Sequence, residues 1–167
     1  MYALGYRSSK TGVIYVATKD GKVPDAMARA STAVGKYMKE HWPADYADIR
    51  EADNLKATTL PPLKEMGGKD GPGNVIMISR NLGNSGHFDS ADASRSTAFW
   101  VEEEPGGAKN WWFIFPDVSI DRSKGVVIKL FHGIGISWDG SKIKHCSSIT
   151  DTGDNNNVYG CMFGSCR

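Results

Sequence analysis

The chain is poor in cysteine, in histidine, in charge of one sign and in long apolar runs, and each shortage excludes a class of protein. The three cysteines, Cys146, Cys161 and Cys166, are odd in number and none sits in a paired CxxC. A disulfide framework and a thiolate zinc site are both poor fits, and the thiols suit a reducing, intracellular compartment. The most apolar stretch, Trp111 to Phe115, is far shorter than the ~20 residues of a membrane span, and "MYALGYRSSK" has no run of signal-peptide length. No membrane partner is expected. Twenty Lys and Arg against 19 Asp and Glu leave a net charge of +1, so a nucleic-acid contact has to come from a local patch rather than from bulk charge. With 40% hydrophobic residues in 167, the composition is that of one folded domain, not of a disordered chain.

What is present is mostly strand. "YALGYR" and "GVIYVATK", split by the turn formers "SSKT", predict an amino-terminal hairpin. A helix is predicted next: Pro24 suits its first turn, Met27, Ala30, Val34 and Met38 recur at helical spacing, and Pro43 ends it. "ADYADIR" adds a short second helix. Residues 1–55 therefore read as a supporting α/β segment, and 56–73, rich in Pro, Gly and Lys, as a long surface loop. From residue 74 to 164 the runs "NVIMISR", "STAFWVE", "NWWFIF", "GVVIKLF", "GIGISW", "SKIKHCSSI" and "NVYGCMFG" all read as strands. The expected class is α+β, with helices packed on a carboxy-terminal β core.

"GHFDSADAS" places His87, Asp89 and Asp92 close together among small residues. Four histidines and 13 aspartates produce an HxD triplet by chance in roughly one such chain in three, so the triplet alone is weak evidence and a polar loop explains it equally well. Geometry strengthens it. Residues two apart on a strand share a face, so His87 and Asp89 project together while Phe88 packs behind. One further imidazole would complete the two-histidine, one-carboxylate triad of a mononuclear non-haem Fe(II) site. His132 and His145 are the candidates, His41 reading as a helix-end residue. "GIGISW", "DG" and "SKIKHCSSI" read as strand, tight turn and returning strand, which turns His145 inward beside Ile143 and sends Lys142 and Lys144 to solvent. His145 is therefore the expected third ligand, with His132, at the hairpin entrance, as the alternative.

An HxD at a strand end, several strands, and a hairpin closing on "HCSSI" together resemble the Fe(II)- and 2-oxoglutarate-dependent dioxygenases of double-stranded β-helix (jelly-roll) fold. The finer resemblance, over roughly residues 74–164, is to the TET/JBP branch, and "HFDSADAS" within it is similar to the algal 5-methylcytosine-modifying enzymes that use ascorbate. The resemblance implies an oxygenase attacking the methyl group of 5-methylcytosine in DNA, with Fe(II), molecular oxygen and either ascorbate or 2-oxoglutarate. It implies that His87, Asp89 and His145 hold the metal and that Asp92 binds the co-substrate; a DNA substrate would make the protein nuclear. One departure is informative. "ITDTGDNNNVYG" carries no Arg or Lys where the family anchors the distal carboxylate of 2-oxoglutarate, which leaves Lys129, Arg95 or Arg167 as substitutes, or else a co-substrate without a second carboxylate.

Other features have two readings each. Asp92 could instead cap its turn. Trp111 and Trp112 are a core residue and its sheet-edge neighbour, or a platform on which an extruded base stacks. Arg122, Lys124, Lys129, Lys142 and Lys144 are a solvated face or a phosphate contact. Glu102 to Glu104 read as a solvated acidic loop. The competing functions are a 2-oxoglutarate/Fe(II) hydroxylase of a protein side chain or small metabolite, and a metal-free β-sandwich binding module.

Overall fold

The computed structural model describes residues 2–8, 14–16, 25–56, 70–73, 75–92, 95–148 and 156–165. Among the described residues, nine strands and two helices follow in the order β1 (Tyr2–Ser8), β2 (Ile14–Val16), α1 (Asp25–His41), α2 (Pro43–Lys56), β3 (Val75–Arg80), β4 (Ser96–Glu102), β5 (Trp112–Phe115), β6 (Val126–Lys129), β7 (Gly135–Trp138), β8 (Cys146–Ser147) and β9 (Val158–Gly164). They form two antiparallel sheets, one in the order β2-β1-β3-β9-β4-β7 and one in the order β6-β5-β8. Among the described residues no helix is long and apolar enough to cross a membrane.

Helix α1 carries Asp25 in its first turn and Lys39 and His41 in its last, the charge order that its dipole favours. Pro43, without an N–H, closes α1 and opens α2, so that Trp42 alone joins them; its N–H donates to Met38 O and its carbonyl accepts from Tyr46 N. The second helix is longer than "ADYADIR" suggested. Met38, Tyr46 and Ile49 pack between the helices.

The larger sheet is the middle layer, and strand alternation sends its two faces to different partners. Ile76, Ile78, Phe99, Cys161 and Phe163 meet Val34 of α1 on one side. Ala98, Trp100, Trp138 and Val158 point the other way, against Trp111, Phe113 and Phe115 of the smaller sheet and Leu130. Cys146 and Cys161 are free thiols; Cys166 lies outside the described residues.

Three expectations change. The β1–β2 pairing is present, with its turn outside the described residues, but β7 and β8 are not a hairpin. β7 pairs with β4 at the edge of the large sheet, and β8 pairs with β5 in the small one. The physical reason lies in the turn: Asp139 O accepts from Lys142 N at 3.2 Å and from Ile143 N at 2.9 Å, a full helical turn that redirects the chain between sheets instead of folding it back. The expected surface loop 56–73 lies mostly outside the described residues, and its end is buried, with Pro72 fully enclosed. Glu102 is also buried, its Oε2 accepting from Ala108 N at 3.1 Å, while Glu103 and Glu104 are exposed.

Gly35 of α1 lies so close to Asp70 that a Cβ there would sit 1.4 Å from the Asp70 carbonyl oxygen. Lys39–Asp70 and Arg50–Gly71 bonds hold that segment in place. Gly35→Ala is expected to lower folding stability by on the order of 1–3 kcal/mol through overpacking, read as a fall in the urea midpoint with an unchanged slope. An unshifted midpoint would mean that the 70–73 segment is not packed on α1.

Candidate metal centre

Between β3 and β4 the chain runs alongside β8 as an irregular extension of the smaller sheet. His87 and His145 are an antiparallel bridge pair: each backbone N–H donates to the other's carbonyl at 3.0 Å. Asn84 and Ser147 extend the contact, with Asn84 N donating to Ser147 O at 3.1 Å and Ser147 N to Asn84 Oδ1 at 2.6 Å. Directly opposed residues project from the same face, so the two imidazoles lie side by side with ring centroids 4.5 Å apart. Asp89 N donates to Gly140 O at 2.9 Å, which brings the carboxylate between the rings. Asp89 Oδ1 is 3.5 Å from His87 Nε2, and Oδ2 is 3.1 Å from His145 Nε2.

The donor set suits a small divalent cation. His87 Nδ1 is 2.9 Å from Ser85 O and His145 Nδ1 is 2.9 Å from Ile143 O. A carbonyl can only accept, so each Nδ1 carries a proton, which leaves Nε2 as the ligand atom once a cation takes the place of the proton that His145 Nε2 shares with Asp89. One ligand atom from each of the three residues lies within 4.8 Å of the others. Three bonds of about 2.1 Å at right angles put ligand atoms about 3 Å apart, so the side chains need to close by an ångström or two at most. Two imidazoles and one carboxylate on one face leave the remaining positions of an octahedral ion open, the arrangement of non-haem Fe(II) oxygenases.

The triad forms part of the wall of a cavity of about 460 Å³ between the two sheets. His145 is buried, with its ring 5.1 Å from that of Trp138 and 5.7 Å from that of Phe113. Burial alone would push its pKa down, but the Asp89 hydrogen bond and the Ile143 carbonyl outweigh it and the pKa is raised. Asp92 is buried in the same wall, accepts from Ser96 Oγ, and is pushed up to about 6 by burial, with the charges of Asp89 and Asp139 adding to the shift.

The sequence-predicted residues separate clearly. His87, Asp89, Asp92 and His145 come together at the cavity. His132 does not, its Nδ1 lying 3.1 Å from the Glu102 backbone. Phe88, expected to pack behind the triad, is 51% exposed and borders the cavity instead. Trp111 is core and Trp112 half-buried, and neither lines this cavity. The aromatic wall comes from Phe88, Trp100, Phe113 and Trp138, which strand alternation could have grouped only once the sheet partners were known. Lys142 and Lys144 pair with Asp139 and Asp117, and Arg95 pairs with Asp45, whereas Arg122, Lys124 and Lys129 are exposed. Among the described residues that line the cavity there is no Arg or Lys. Arg167 and 149–155 lie outside the described residues.

No family model matches this chain, and no curated protein matches it in sequence. In structure it is similar to NgTET1, solved in complex with 5mC DNA, with a TM-score of 0.67 at 11% identity. The match covers 99% of this chain and 60% of that one, so the chain spans less than two thirds of the length of that protein. The shared property is the fold.

Asp92 makes the metal-free chain sensitive to pH. Its carboxyl is raised from 3.8 to about 6, so the folded state holds this proton more tightly than the unfolded state. The stability it contributes is complete below pH 3.8 and is lost as pH rises through about 6. Asp92→Asn keeps an acceptor for Ser96 without the buried charge, and should be more stable than the parent at pH 7.5 by about 2–3 kcal/mol. That advantage should shrink towards pH 4. Parallel pH-stability curves for the two metal-free proteins would exclude the buried-charge account.

Proposed function

We propose that this chain is a non-haem Fe(II)-dependent oxygenase of double-stranded β-helix type that acts on the methyl group of a modified pyrimidine, 5-methylcytosine, in DNA. The observation that carries the reading is the convergence of two Nε2 atoms and one carboxylate at the wall of a cavity large enough for a co-substrate and a base. The likeness to NgTET1, itself solved with 5mC DNA, agrees with the substrate class. On this reading the chain is one oxygenase domain, with residues 1–55 as support, 56–73 as a bordering loop and 74–164 as the core, and it acts in the nucleus.

His87, Asp89 and His145 hold the ion, which supplies oxygen activation when bound. The Ser85 and Ile143 carbonyls hold the two histidines in the tautomer that presents Nε2. Trp138 and Phe113 exclude water from the inner side of His145, and Trp100 and Phe88 offer apolar surface for a base drawn out of the helix, the role expected of Trp111 and Trp112. Asp92 faces the co-substrate. A carboxylate in this wall is suited to accept a hydrogen bond from a ring hydroxyl such as those that ascorbate retains.

A lining without Arg or Lys among the described residues favours ascorbate over 2-oxoglutarate, because a second carboxylate bound there would lose several kcal/mol of hydration without a cationic partner. A 2-oxoglutarate hydroxylase of a protein side chain or metabolite is the alternative within the same chemistry, and a metal-free binding module the alternative outside it.

The test is anaerobic Fe(II) titration followed by turnover on 5-methylcytosine DNA with ascorbate or 2-oxoglutarate supplied alone. His87→Ala, Asp89→Ala and His145→Ala should each lose iron and at least 10³-fold of turnover, a loss of about 4 kcal/mol or more in transition-state stabilisation. His132→Ala should keep both. Asp92→Ala should keep iron while the apparent KM for ascorbate rises tenfold or more. Robust turnover with 2-oxoglutarate alone, indifferent to Asp92, would return the site to the ordinary dioxygenase class, and failure to bind iron would favour the binding module.

A further inference from the structure

Gly140 is a buried residue of the turn between β7 and β8 whose part so far is a single backbone bond to Asp89. Its φ lies outside the left-handed region, so its backbone would accept a side chain. The surrounding space would not. A Cβ built at Gly140 would sit 2.6 Å from Asp92 Oδ2 and 3.2 Å from both Cβ and Oδ2 of Asp89. Both site carboxylates thus rest against one Cα, and the Gly140 carbonyl also accepts the Asp89 N–H at 2.9 Å.

The turn that contains Gly140 is braced on each side. Asp139 Oδ1 accepts from Ser141 Oγ at 2.8 Å and from Lys142 N at 3.2 Å, and Asp139 O accepts from Ile143 N at 2.9 Å. Lys142 Nζ lies 2.9 Å from Asp139 Oδ2. Ile143 O in turn fixes the His145 ring through Nδ1. A single turn therefore sets the height of Asp89 through Gly140 and the tautomer of His145 through Ile143.

We infer that Gly140 is a positioning residue: its bare Cα, held by the Asp139-braced turn, sets the place of the Asp89 carboxylate relative to His145 and thereby the geometry of the metal centre. The inference rests on the metal reading above, and deepens it by naming an element outside the ligands that fixes their spacing.

The experiment uses the full chain with Co(II), whose visible spectrum reports ligand geometry independently of turnover. Gly140→Ala should weaken Co(II) binding at least tenfold and change the position or intensity of the visible bands. Gly135→Ala is the control for steric strain elsewhere, since its Cβ would meet the Phe99 and Trp42 rings at 2.7 Å, away from the carboxylates. It should lose thermal stability yet bind Co(II) with the parent spectrum and affinity. Should Gly140→Ala not fold, Asp139→Ala and Asp139→Asn separate bracing from bulk. Asp139→Ala removes the Oδ1 acceptor and should weaken Co(II) severalfold with an altered spectrum, while Asp139→Asn keeps that acceptor and should restore the parent spectrum. A folded Gly140→Ala with parent affinity and spectrum overturns the inference and leaves the metal reading intact, as does an Asp139→Ala spectrum identical to the parent's. A parent chain that shows no Co(II) spectrum overturns both.

Discussion

Two reciprocal backbone hydrogen bonds between His87 and His145, each 3.0 Å long, are the constraint from which the site follows. They are formed by groups that every residue carries, so the bridge itself does not require histidine. What it supplies is register. With the two residues directly opposed, two imidazoles emerge from one face at a separation fixed by the backbone rather than by flexible side chains. Slipping either segment by one residue would turn one ring to the other face. The carbonyls of Ser85 and Ile143, two residues before each histidine, then fix the tautomers by the same local device on both sides of the bridge.

That bridge is useful only because the layers around it leave room. The larger sheet is covered by helices on one face and by the smaller sheet on the other, so nearly every position of β4 is enclosed. Between the sheets, Trp100 and Trp138 meet Phe113 at ring distances of 5.0 and 4.9 Å and fill the space beside His145. Away from that cluster the wall mixes small residues, Ala98, Gly160 and Ser79, with Val75, Met77 and Met162, and the sheets do not close completely. The polar triad sits where aromatic filling gives way to the cavity. The rings of Phe113 and Trp138 pack on the inner side of His145.

The legible part of this architecture is the part encoded locally. Strand runs from "NVIMISR" to "NVYGCMFG", the end of α1 at the Trp42-Pro43 step, and the HxD pair with an inward His145 all follow from periodicity and turn chemistry in short windows. Sheet partnership is not encoded in a short window. "DG" between two β-rich runs is a strong hairpin signal, and it fails because Asp139 caps a helical turn and β8 finds its partner in β5. The error was harmless for His145, whose inward direction depends on alternation with Lys144 and not on which strand it pairs with. It was costly for the aromatic residues. Adjacent tryptophans at 111 and 112 read in sequence as a core pair or a platform, whereas the cavity wall is assembled from Trp100, Phe113 and Trp138 on three different strands. Gly140 was invisible for the same reason: a glycine demanded by two carboxylates from a distant loop looks, in sequence, like a glycine demanded by a turn.

Charge explains why such a site would be kept at some cost to the free chain. Burial, and then the charges of Asp89 and Asp139, raise the carboxyl of Asp92, and the Lys142 ammonium is engaged by Asp139. The raised pKa of His145 is the same imbalance seen from the other side, an excess of negative potential drawing a proton to the imidazole. A proton between Asp89 and His145 relieves part of it, and on the reading proposed above a divalent ion in the same place would relieve more, because it would answer both imidazole nitrogens and the carboxylate at once. Whatever binds there adds its affinity to the stability of the fold, since the unfolded chain has no such convergence of ligands. On the metal reading proposed above, Asp92 should then destabilise the metal-free chain most where the site is best able to take a cation, above the pKa of Asp92.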